Sequence, residues 1–90
     1  MATVRIPTSL RSLTEGQAEL RVTGATVREV LQALEVRCPG VAPRILDAQG
    51  RVRRYVNVFL NEEDVRFLQE LDTPVADADR VTLVPAMAGG

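Results

Sequence analysis

Ninety residues, 9.8 kDa, a net charge of −1 and a pI near 5.4 fit one small domain, leave no room for two cores, and argue against a dedicated nucleic-acid binder. All eleven basic residues are Arg; the chain contains no His, Lys or Trp and a single Cys. These absences remove His general-base catalysis, Ser/His/Asp and Cys/His nucleophile systems, lysine Schiff bases, thiolate metal cages and internal disulfides, so no bound metal is expected.

Met1-Ala2-Thr3-Val4-Arg5 lacks the charged stretch and apolar run of a signal peptide, and no segment approaches the roughly 18 apolar residues of a spanning helix. A cytoplasmic protein with no membrane contact is expected. Val4 and Ile6 alternate with Thr3 and Arg5 ahead of Pro7, which predicts a half-buried strand over 2–6. Ala18, Leu20 and Val22 share one face of a second strand, antiparallel to the first. After the turn Thr23-Gly24-Ala25, Thr26-Val27-Arg28-Glu29 has the Thr-x-x-Glu form in which hydroxyl and carboxylate each cap a free backbone N–H, so a helix starts there. Val27, Val30, Leu31 and Leu34 form its apolar stripe, Arg28, Glu29, Gln32 and Glu35 face away, and Cys38-Pro39-Gly40 stops it.

Residues 41–46 predict one short helical turn interrupted by Pro43, and Asp47-Ala48-Gln49-Gly50-Arg51 a surface loop. From Arg54 to Asn61, Val56, Val58 and Leu60 fall on one face and Tyr55, Asn57 and Phe59 on the other, which predicts a central strand. Asn61-Glu62-Glu63-Asp64 reads as an acidic turn, Val65-Arg66-Phe67 as a short return strand, and 68–76 as irregular chain. Asp77-Ala78-Asp79-Arg80 then turns into the strand Val81-Thr82-Leu83-Val84, which Pro85 ends.

One helix laid across one face of a small mixed sheet buries that stripe against Val4, Ile6, Leu20, Val22, Val56, Val58, Val81 and Leu83. The fold class is therefore α+β, a grasp-like roll over 1–85, followed by a tail over 86–90. Chain ends commonly fray and tolerate small residues. The tail nevertheless reads Ala86-Met87-Ala88-Gly89-Gly90, and glycines without a Cβ pass through a channel too narrow for side chains. Five residues extend roughly 17 Å, far enough to carry a terminal carboxylate into a partner's active site. That carboxylate is a poor acyl donor until it is activated.

The stretch from Asp77 to Gly90, a turn with two acidic residues, a strand, Pro, a short spacer and Gly-Gly, resembles the end of the ubiquitin-like sulfur carriers. These include the small subunit of molybdopterin synthase, the thiamin thiazole carrier and the carrier for cysteine synthesis in actinobacteria. Arg54 to Asn61 with the following Glu62 to Phe67, the insertion over 41–53, and Ile6-Pro7-Thr8 with Leu10 and Arg11 are most similar to the cysteine-synthesis type. The resemblance implies a β-grasp fold and a protein substrate rather than an enzyme. An E1-like, ATP-dependent enzyme would adenylate the Gly90 carboxylate, and sulfide equivalents would displace AMP to leave a thiocarboxylate. A pyridoxal-phosphate cysteine synthase would present the sulfur acceptor, and a metal-dependent peptidase would release cysteine and restore the terminus. Gly90 is thus the implied reaction site, with Gly89 and Ala88 as recognised spacers; ATP, pyridoxal phosphate and zinc belong to the partners. Another acceptor, a molybdopterin, thiazole or thiosugar precursor, remains open, as does a modifier role in which Gly90 is joined to a target lysine.

Tyr55, Phe59, Arg5 and Val84 form a candidate docking patch on the sheet face away from the helix, unless the 7–17 segment or the insertion covers it. Arg51, Arg53 and Arg54 read as a solvated loop and Cys38 as a small buried hydrophobe.

Overall fold

A computed structural model describes residues 1–85. The alternating segments pair into one five-stranded sheet: β1 (Ala2–Arg5), β2 (Glu19–Val22), β3 (Val56–Leu60), β4 (Glu63–Asp64) and β5 (Arg80–Pro85), in the order β2-β1-β5-β3-β4. Only β1 and β5 run parallel; the other neighbours are antiparallel. The main helix, α1 (Val27–Arg37), lies across one face, giving the expected mixed-sheet β-grasp roll. The helix stripe and Val4, Ile6, Leu20, Val22, Val56, Val58, Val81 and Leu83 are all buried, whereas Ala18, which precedes β2, is exposed and Leu60 half-buried.

Local chemistry explains the helix ends. The Thr26 hydroxyl accepts from the Glu29 N–H at 3.2 Å, while the Glu29 carboxylate reaches back to the Ala25 N–H at 2.9 Å, one residue before the usual reciprocal partner. Gly24 sits so close beneath α1 that a Cβ there would lie 2.7 Å from the Val30 nitrogen. At the far end Cys38 caps the helix and is buried as a small hydrophobe, and Gly40 takes a φ of +103°. Glu35 does not face away. Its carboxylate accepts from the N–H groups of Gly40 and Ala42, which pins the short helix α2 (Ala42–Ile45) against α1 and holds the carboxyl below its ordinary range.

Three further readings change. Pro43 does not interrupt α2; it occupies the first turn, where no helical N–H is needed. As expected, β3 is an inner strand rather than an edge, paired with β5 on one side and with the two residues of β4 on the other, while β5 is the middle strand of the five. The short return strand is Glu63–Asp64, reached through the two-residue turn Asn61-Glu62 with Asn61 at a φ of +57°. Val65–Phe67 is instead a 3₁₀ turn, started by the Asp64 carboxylate on the Arg66 N–H and anchored by buried Val65. The Arg66 guanidinium then donates to the Val56 and Arg53 carbonyls and to Asn57 Oδ1, closing the part of the β3 edge that β4 leaves open.

Residues 68–76 are also less irregular than their composition suggests. They contain a 3₁₀ turn over Glu70–Asp72, bury Leu71 and Val75, and bridge Thr26 to Pro74 alongside the helix start. The hydrogen bonds Val27 N–H to Thr73 O and Val75 N–H to Ala25 O, at 3.0 and 2.9 Å, make that bridge. Among the described residues, no helix is long and apolar enough to cross a membrane.

Candidate functional site

Strand β5 leads to the tail and is held on both sides, by β1 in parallel and by β3 antiparallel. Its last residues, Val84 and Pro85, are opposite Asn57 and Val56. The root of the tail is therefore built into the sheet, while Ala88, Gly89 and Gly90 lie outside the described residues.

The strand register settles which side chains share the face turned away from α1. Arg5 and Phe59 flank Thr82 from opposite sides, and Val84 follows two residues further along the same face. Arg5 and Val84 are exposed and Phe59 is half-buried. Tyr55 lies outside β3, immediately before Val56, and is 53% exposed. Three of the four docking residues read from sequence thus stand together on the sheet, with Tyr55 beside the tail root.

A groove of about 690 Å³ runs along β5 on the β1 side. Arg5 and Val84 line it together with Thr8, Arg11, Arg80 and Pro85; Phe59 and Tyr55 do not. The 3₁₀ turn over Thr8–Leu13 forms one wall, anchored by buried Leu10. Its Arg11 donates from Nε to the Ile6 carbonyl at 3.2 Å, which fixes the guanidinium at the groove. Arg80 is positioned from below. Asn61 takes the Arg80 N–H on Oδ1 and donates its own N–H to the Arg80 carbonyl, while its Nδ2 donates to Asp79. Asp79 also accepts from the Ala76 N–H; that bond first, and Asn61 second, hold its carboxyl below the ordinary range.

Sequence reasoning missed Arg11 and Arg80 as groove residues. Alternation with Thr82 and Val84 places Arg80 on this face, so that signal was available; no periodicity places Arg11, which sits in a 3₁₀ turn. Arg53 is half-buried and donates to the Pro43 carbonyl, whereas Arg51 and Arg54 are exposed as a solvated loop requires. Among the described residues, no group of three His, Cys, Asp or Glu side chains is placed to hold a metal ion.

A β-grasp sheet whose central strand ends in Pro, followed in sequence by Ala86-Met87-Ala88 and Gly-Gly, defines the class: the chain belongs to the ThiS family, whose model matches residues 4–90, and is a ubiquitin-like sulfur carrier. Its likeness to the carriers spans nearly the whole chain. It is 44% identical to the sulfur carrier protein CysO of Mycobacterium tuberculosis, over 98% of this chain and 97% of that one. It matches the crystal structure of the Amycolatopsis orientalis BexX/CysO complex with a TM-score of 0.94 and 41% identity, covering 100% of both chains. It is also 39% identical to small archaeal modifier protein 3 of Haloferax volcanii, over 73% of this chain and 71% of that one.

Proposed function

We propose that this carrier holds sulfur as a thiocarboxylate on Gly90 and delivers it in cysteine biosynthesis. The observation that carries the reading is the full-length similarity to CysO proteins, joined to a chain that runs from the central strand through Pro85 to Gly89-Gly90. The carboxylate oxygen of Gly90 attacks the α-phosphorus of ATP on an E1-like enzyme, releasing pyrophosphate. A hydrosulfide equivalent then adds to the acyl carbon and AMP leaves, so one oxygen is exchanged for sulfur without a change of oxidation state.

The sulfur adds next to the electrophilic acceptor of a pyridoxal-phosphate synthase, and a metal-dependent peptidase hydrolyses the product to free cysteine and restore the Gly-Gly terminus. In this scheme the chain is a protein co-substrate. It supplies a carboxylate on a narrow tail and a docking face around Arg5, Phe59, Val84 and Tyr55; ATP, pyridoxal phosphate and zinc act on the partners. The complex formed by the Amycolatopsis CysO with BexX supports a mode of action by docking to a partner protein.

Similarity to an archaeal modifier protein favours one second reading, in which Gly90 is joined to lysines of other proteins. With no lysine, this chain forms no polymers through its own side chains. Intact mass spectrometry of the protein from its own cells separates the two. A species with one oxygen replaced by sulfur at Gly90 is expected, and a ladder of Gly90-linked conjugates without it overturns the carrier mechanism in favour of the modifier.

A further inference from the structure

The groove along β5 has a charge that its protein does not. The whole chain carries eleven Arg against twelve Asp and Glu, for a net of −1, yet among the described residues the groove is lined by Arg5, Arg11 and Arg80 and by no carboxylate. The nearest acidic partner, Glu19, stands 3.9 Å from Arg5 Nε with both side chains 47% exposed, a contact that neutralises little. One of the three cations is held in place, Arg11 through its Nε bond to Ile6; the Asn61 clamp fixes the Arg80 backbone and leaves its side chain exposed at the groove. Positive charge that is fixed before a partner arrives costs less to use on binding.

Tail length limits where a partner's surface must lie. Pro85 lines this groove, and five residues reach at most roughly 17 Å beyond it. An enzyme that reacts with Gly90 therefore brings the rim of its active site against the residues around Pro85. We infer that the arginine-lined groove seats an acidic segment on the rim of the E1-like activating enzyme, so that this part of docking is electrostatic. The inference rests on the carrier reading above and names the chemistry that its docking face recognises. A protein carboxylate partner fits better than a nucleic acid. The groove is lined by no aromatic side chain on which a base would stack, and the chain as a whole is acidic.

The test uses the full-length carrier and the activating enzyme encoded in the same genome. Pyrophosphate release is followed for wild type, for Arg5→Ala, Arg11→Ala and Arg80→Ala, for the triple variant, and for the control Arg44→Ala/Arg54→Ala, at low and high salt. Each variant's thermal midpoint is recorded, and binding is measured directly by titration calorimetry. Each groove substitution is expected to lower kcat/KM severalfold and the triple variant by about a hundredfold, through KM, with the salt dependence of the wild type flattened. The control should retain wild-type values.

A folded triple variant that is adenylated with wild-type KM and salt dependence overturns the groove assignment while leaving the carrier reading intact. No adenylation of the wild type overturns that reading and the inference with it. Tight binding of a single-stranded oligonucleotide through the three arginines, with enzyme binding unaltered by their loss, also overturns it in favour of a nucleic-acid partner.

Discussion

The two faces of the sheet are made from the same strands by the same alternation, and they do opposite work. On the helix side Val4, Val58 and Val81 are completely buried, together with the α1 stripe of Val27, Val30, Leu31 and Leu34. On the other side the same strands present Arg5, Thr82, Phe59 and Val84, the last 39% exposed, beside a groove lined by arginines. One face is closed by the fold itself. The other keeps apolar and cationic groups that folding does not require, which is what a surface kept for a partner looks like.

The sharpest way to test this division is to remove the proposed reaction site. Deleting Gly89-Gly90 should abolish adenylation and thiocarboxylate formation while leaving the thermal midpoint unchanged, since residues between Ala2 and Leu83 supply a complete core; a lower midpoint breaks the separation of tail from fold. On the closed face, Leu34→Ala removes a fully buried side chain from the stripe and should cost about 2 to 5 kcal/mol in urea unfolding. Gly24→Ala should cost on the order of 1 to 3 kcal/mol, because its Cβ would lie 2.7 Å from the Val30 nitrogen and 2.9 Å from Val30 Cγ2. On the open face, Phe59→Asp should change stability by only about 1 kcal/mol yet reduce adenylation strongly; normal adenylation of the folded variant removes Phe59 from the docking surface.

Acid should produce the smallest effect, and it acts on the connections rather than on either face. Glu35, Asp47 and Asp79 are each held below their ordinary values of 4.5, 3.8 and 3.8, chiefly by the N–H groups of Gly40, Arg51 and Ala76. The unfolded chain therefore takes up protons at these groups before the folded one does. Their contribution is complete above the ordinary values and is lost as pH falls through the lowered folded ones. Urea midpoints should be flat above about pH 5 and decline below about pH 4, and Asp79→Asn should make that decline shallower.

The difference between the faces also explains which readings of the sequence succeeded. Burial imposes a period on the chain, so Thr26-x-x-Glu29, the helix stripe and the strand alternation led to α1, the sheet and the complete core list assigned to them. Leu10, Val65, Leu71 and Val75 are also buried, but they hang from 3₁₀ turns and single bridges that have no period to read. The misplaced return strand has the same origin. Val65-Arg66-Phe67 has apolar alternation, yet the αL conformation of Asn61 makes a two-residue turn, so pairing is finished by Asp64. The apolar content on both faces of β3 correctly pointed to an inner rather than an edge strand, although alternation does not say which strand is the middle one.

By itself the sequence determined the class of protein. The stretch from Asp77 through Pro85 to Gly89-Gly90 pointed to the sulfur-carrier family that the family match bears out. It also determined the helix, the strand faces and the core, because each of these follows from the local periodicity of apolar residues. Only the tertiary structure decided that β5 is central, that Arg66 closes the edge of β3, and that Arg5, Arg11 and Arg80 meet in one groove. Those three arginines come from a strand, a 3₁₀ turn and the start of the last strand, and nothing short of the parallel pairing of β1 with β5 brings them together.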